Sequence, residues 1–295
     1  MNDNRLDFFK IYFLMSLAML TWAIAWTNAK IVSDYLTFNN LVFLRFILGF
    51  ISLLPFIIYK KISLPSLFNL RLIIIPSILF LIYNISFFLG TYYGLAGKGA
   101  VLVTTLNPLC TVILMSMINN KIIKKEIVSL FLGLLGGFII MDVFNYGFAI
   151  VFDSGNIYFI ICALSWGVMT VLINYAQKTI NPYMFICLCY LFTAIFCIPF
   201  IDISDLVDAK LDFTFYINFF FVSIGAMSFG TSVYMFYTPV LGPSKASIFI
   251  FSVPFIAMAF ANIYLNEPFT LNIVIGGLIS LYAIFIMNKS DKNGN

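Results

Sequence analysis

An all-α integral membrane protein with ten transmembrane helices, arranged as two inverted five-helix repeats, is the fold class that three observations predict. Of the 295 residues, 62% are hydrophobic and only 9% are charged, and the mean hydropathy is +1.05. A water-soluble domain carries about a quarter charged residues. Apolar runs recur at about the 20 residues needed to cross the hydrocarbon of a bilayer, and they end at charged or turn-forming residues. A shift of 144 to 146 residues superposes the unusual features of one half of the chain on those of the other.

The runs lie near residues 9–32, 38–59, 72–93, 99–118, 127–148, 155–176, 182–201, 213–238, 245–265 and 270–288. A charged lead, MNDNRLDFFK, precedes the first, but no small-residue cleavage pattern follows it, so this run is expected to be a retained crossing. The second carries Arg45 about seven residues in, and the third carries Tyr83, Asn84, Tyr92 and Tyr93. The fourth holds Asn107 and Pro108 near its middle. A proline there removes a backbone donor and crowds the carbonyl four residues back, leaving polar groups that hydrocarbon cannot satisfy. The fifth and tenth contain GLLGG (Gly133–Gly137) and Gly276–Gly277, small residues that allow close helix contact, either with each other or with a second protomer as a homodimer. The five cysteines all lie in apolar runs without metal-site or disulfide spacing, which makes them core packing.

Placing the N-terminus in the cytoplasm puts Arg5, Lys10, Lys60, Lys61, Arg71, Lys121, Lys124, Lys125, Lys178, Lys245, Lys289 and Lys292 inside, against Lys30, Lys98 and Lys210 outside. That bias fixes both termini as cytoplasmic and makes the net charge of +4 a matter of topology, with no call for nucleic acid. The acidic loop DISDLVDAKLD (Asp202–Asp212) then faces outward. Its four aspartates, without a histidine or catalytic spacing, read as a solvated loop.

The repeat aligns Trp22 with Trp166, Pro55 with Pro199, Lys121 with Glu267, and VLVTTLNPL with SIFIFSVPF, so that Pro108 falls on Pro254. Five crossings per unit force the second unit (151–295) to enter the membrane from the side opposite to the first (1–150). Proline-interrupted helices at matching places of inverted halves point to a solute site near the midplane, where unwound backbone lines a cavity. Asn107 and Ser252 would flank that site, and a packing kink is the plain alternative for each. Trp22 and Trp166 are mid-span indoles that need hydrogen-bond partners. Tyr83, Asn84, Thr231 and Tyr234 complete the binding candidates, with packing against lipid or protein as their ordinary role. Arg45 and Asp142 sit at similar depth, about 10 Å from the outer surface. An ion pair between them, a carbonyl clamp on Arg45, and binding of a solute carboxylate by Arg45 are all open. Asp142 and Glu267 are the coupling candidates, because the chain has no histidine and no acid at the centre of a crossing.

LTWAIAWTNAKIV, NNLVFLRFILGFISLLPF, GKGAVLVTTLNPL and GPSKASIFIFSVPFIAMAFANIYLNEPFTLNIVIGGLI together resemble the EamA type of the drug/metabolite transporter superfamily over nearly the whole chain. The resemblance implies a ten-helix permease that exports amino acids or similar small metabolites across the bacterial inner membrane. It also implies aromatic residues around the cavity, where Trp22 and Trp166 match the tryptophan motif. The glutamate that the pattern places after the fourth helix is replaced by NNK, and only Glu267 matches it. Cofactors are not implied, and no nucleotide-binding loop is present. Uptake of the same solutes is the alternative within transport. A membrane-embedded lipid-modifying enzyme is the alternative outside it, and would need catalytic groups converging near one membrane face.

Overall fold

The computed structural model describes residues 2–121, 123–152 and 155–288, with side chains from 9 to 287. Lys289, Lys292 and the Arg5 side chain of the charge count lie outside the described residues. The main helices are α1 (Asn2–Val32), α2 (Phe38–Tyr59), α3 (Leu67–Tyr93), α4 (Ala96–Asn119), α5 (Lys124–Ile140), α6 (Asn156–Ala176), α7 (Pro182–Phe200), α8 (Phe213–Leu241), α9 (Pro243–Leu265) and α10 (Leu271–Asn288). Eight of them are long and apolar enough to cross a bilayer. The exceptions are the fifth and tenth expected crossings. The fifth ends at Ile140 and not near residue 148, because the chain turns left-handed at Asp142 (φ 57°) and continues as a short helix, Val143–Tyr146.

Large apolar side chains such as Phe9, Phe13, Ile58, Phe131 and Phe285 are exposed around the bundle, as a lipid-facing surface requires. Inside, α3 packs on α6 and α7, α4 on α6, α1 on α8 and α9, and α2 on α7 and α8. The α5–α10 pair is the most extensive. Its approach depends on two glycines: a Cβ on Gly136 would lie 2.6 Å from the Gly276 carbonyl oxygen, and one on Gly276 would lie 2.5 Å from that of Gly136. Backbone oxygen cannot yield to such a contact.

The proline positions behave differently in the two halves. α4 runs through Pro108 as continuous helix, contrary to the unwinding expected there, and the Thr104 and Thr111 hydroxyls bond back to the carbonyls of Ala100 and Asn107. α9 is interrupted: a 3₁₀ segment, Phe249–Ser252, separates Pro243–Ile248 from Val253–Leu265, with Pro254 in the first turn of the last part. A second irregularity was not visible in the sequence. Residues Phe221–Thr231 of α8 form a π-helix, whose wider register frees carbonyls for side-chain donors.

Candidate functional site

The middles of α1, α2, α3, α4, α6, α8 and α9 meet around a small cavity. Its aromatic wall is Trp22, Trp26, Phe80, Tyr83, Phe87 and Trp166; its polar groups are Arg45, Asn84, Thr104, Asn107 and Thr231; Ala25, Val103, Ala226, Met227, Ile250 and Val253 complete it. It leaves about 40 Å³ for the centres of water molecules. A water needs about 10–15 Å³ on that measure, so the cavity holds about three waters and no organic solute without opening.

The π-helix of α8 organises one side. Ala226 O accepts from Trp22 Nε1 at 3.0 Å and from Thr231 Oγ1 at 3.1 Å, Met227 O accepts from the Tyr190 hydroxyl at 2.9 Å, and Val222 O accepts from Arg45 Nε at 2.9 Å. Trp22 also donates to Thr231 Oγ1 at 3.3 Å. The two symmetry-matched indoles touch edge to face, ring centroids 5.1 Å apart, and Tyr83 lies 4.9 Å from Trp166. Trp166 Nε1 is buried without a hydrogen-bond acceptor.

Arg45 is buried, at 5% exposure. Besides Val222 O, its Nη1 donates to Asn84 Oδ1 at 2.5 Å, and its guanidinium lies 5.3 and 5.8 Å from the Phe87 and Phe88 ring centres. Asn84 is itself fixed by donating to Phe80 O at 2.9 Å. No carboxylate among the described residues pairs with Arg45. The expected partner, Asp142, is elsewhere: it stands past the end of α5, accepts from Asn145 and Asn272 at 2.7 and 3.0 Å, and lines a separate surface cavity with Lys98 and Tyr146. The ion pair is absent because α5 ends at Ile140 and carries Asp142 away from the helix interior.

Of the residues proposed from sequence, Trp22, Trp166, Tyr83, Asn84, Asn107, Thr231 and Arg45 come together at the cavity. Tyr234 stands behind it, 5.0 Å from Trp22 and 5.9 Å from Trp166 by ring centres, its hydroxyl 3.0 Å from Thr170 Oγ1. Ser252 donates to Phe249 O within the 3₁₀ segment and does not line the cavity. Trp26, Phe80, Phe87 and Thr104 were missed, although helical spacing places Trp26 one turn from Trp22 and Phe80 and Phe87 one turn either side of Tyr83.

Glu267 belongs to a different place, the face of the bundle where α3 ends and α4 begins. Its carboxylate oxygens accept from the Ala96 and Gly97 backbone N–H groups, both at 3.0 Å, and so complete the exposed start of α4. Lys30 Nζ performs the opposite service for α3, donating to the carbonyls of Tyr92 and Gly94 at 2.9 and 3.1 Å. Burial pushes the Glu267 carboxyl above the ordinary carboxylate range, while the two N–H donors and the Lys30 and Lys98 ammonium groups pull it down.

The model of the EamA-like transporter family matches residues 9–142 and again 153–289. The chain belongs to that family. It is 27% identical over 276 residues to "Uncharacterized transporter YoaV" of Bacillus subtilis, covering 90% of this chain and 92% of that one. It is 24% identical to an "Uncharacterized transporter" of Archaeoglobus fulgidus, covering 94% and 96%. A protein of known crystal structure shares the fold with a TM-score of 0.72 at 14% identity, over 95% of this chain and 96% of that one. This EamA-family chain is thus a multi-pass membrane transporter, and its cavity takes residues from both matched segments.

Proposed function

We propose that the protein is a secondary carrier that exports amino acids or similar small metabolites by alternating access, with the mid-span cavity as its solute site. One observation carries this reading. The cavity lies where the centres of seven helices from both matched segments converge, and it combines an aromatic wall with a few fixed polar groups. Its present volume is far below that of an amino acid, so loading requires the segments to part. We read the segments as inverted five-helix units, with both termini cytoplasmic, whose rocking exposes the cavity to each side in turn.

Proteoliposomes test this. Purified protein with a panel of radiolabelled amino and organic acids is expected to give saturable flux of one solute class, accelerated by unlabelled solute on the other side. Flux equal to that of protein-free vesicles for every solute would remove the carrier reading. The sign of net flux under a solute gradient alone separates a facilitator from one-way export.

A further inference from the structure

We propose that the cavity binds an organic anion: a carboxylate with an aryl or branched apolar tail and no ammonium group. The proposal rests on the reading of this cavity as the solute site of the carrier, and narrows it.

With the first span counted from Phe9, Arg45 is the only charged residue more than five residues from an end in the eight long spans, and those spans contain no aspartate or glutamate. A guanidinium has five N–H groups. Those of Arg45 make two hydrogen bonds, so three N–H groups, including both on Nη2, have no acceptor among the described residues. Aromatic faces compensate a buried cation only weakly. A buried cation without an anion is costly, and its persistence in a membrane span marks a place where an anion arrives.

One further donor shares the cavity. The Asn107 side chain is 2% exposed, and its carboxamide oxygen accepts from Thr111 while its nitrogen has no partner among the described residues. No anionic acceptor faces these donors: the Val222 and Ala226 carbonyls and the Asn84 oxygen are already taken by Arg45, Trp22 and Thr231, and the remaining lining oxygens are neutral. Two or three waters could occupy the donors, but they would leave the guanidinium charge in place. A carboxylate satisfies donors and charge together, in the two-pronged geometry that guanidinium favours. The ammonium of a zwitterion would meet ring faces, engaged carbonyl oxygens and neutral hydroxyls such as that of Tyr83, with no carboxylate to match its charge, and the loaded site would keep a net charge of +1. The aromatic wall around Trp22, Tyr83 and Trp166 suits an apolar tail.

The protein provides its own probe, because all three tryptophans line the cavity. The full chain in nanodiscs is titrated with 3-phenylpropanoate, L-phenylalanine and 2-phenylethylammonium, which share a ring and tail and differ in charge, while tryptophan fluorescence is read. The anion is expected to bind roughly 10- to 100-fold more tightly than phenylalanine, the range of a charge-assisted hydrogen bond. Arg45→Gln should bring the three ligands within about threefold of one another, and Arg45→Lys should keep the charge order. Phenylalanine or 2-phenylethylammonium binding as tightly as the anion, or no binding of the anion, overturns the proposal. If Arg45→Gln does not assemble, the wild-type series decides by itself. Flux of the same ligands separates the two readings: anion binding without flux removes the carrier and leaves the anion site, whereas flux of phenylalanine in preference to the anion does the reverse.

Discussion

Replacing Glu267 with alanine removes the carboxylate from the start of α4 and leaves the Ala96 and Gly97 N–H groups buried without acceptors. Each such group costs about 1–3 kcal/mol. Water cannot enter freely, since Glu267 is 6% exposed and a Cβ at Gly97 would already lie 2.7 Å from its Oε2. The expected loss is therefore about 2–6 kcal/mol, and roughly 4–24 °C of unfolding temperature for a chain of this size. Glu267→Gln keeps one oxygen for one N–H and should lose about half as much. The pH dependence has a definite sign. Burial raises the carboxyl above its unfolded value, so a protonation-linked increment, separate from the N–H bonds that the ionised carboxylate keeps, is full below the ordinary carboxylate range and is lost as pH rises through the raised one. Acidification across that window should stabilise the wild type relative to Glu267→Gln. Thermal unfolding in detergent, read by tryptophan fluorescence at several pH values, measures both effects. An alanine variant that unfolds within 2 °C of wild type, on the scale of roughly 2–4 °C per kcal/mol, would refute the capping argument.

Trp22→Ala and Trp166→Ala should each lower solute flux at least tenfold by opening the aromatic wall, with membrane insertion intact; radiolabel flux at matched protein levels checks this. Gly136→Leu should force α5 from α10, cost about 1–3 kcal/mol, and lower the unfolding temperature, because the obstacle is the Gly276 carbonyl oxygen. Asp202 and Asp212 behave oppositely to Glu267. The Ser204 hydroxyl beside Asp202 and the Phe215 N–H beside Asp212 hold these carboxyls below the usual range, so their stabilisation is present above it and lost as pH falls through the lowered values. Asp212→Asn should flatten that acid-side decline in a pH series of unfolding temperatures.

The long helices were legible because a bilayer sets a length that composition alone can meet, and eight runs meet it. The cavity was legible at Trp22, Asn107 and Trp166, where a polar or indole group stands in the middle of an apolar run and has to find a partner. The end of α5 was not, since a left-handed turn at an aspartate leaves no break in hydrophobicity before it. Nor was the π-helix of α8: its eleven residues contain no proline, and its irregular register depends on donors from α1, α2 and α7 that only the assembled bundle supplies. Proline marked interruption correctly in α9 and wrongly in α4, where threonine hydroxyls bond back to neighbouring carbonyls. The aspartates of the loop after α7 looked like solvated charge, yet Asp205 accepts from Thr37 and Asn40 and ties that loop to the start of α2.

The solitary cation half-way along α2 also bears on what drives turnover. The eight long spans, the first counted from Phe9, hold no histidine and no carboxylate, so neither of the usual proton carriers lies within them. For a cargo of charge −1, each cycle moves one elementary charge across the bilayer, and a potential of 100 mV, negative inside, tilts that movement outward by about 50-fold. Under the proposed anionic cargo, the electrical gradient that every energised cell maintains supplies an outward bias, traced to the sign of one side chain.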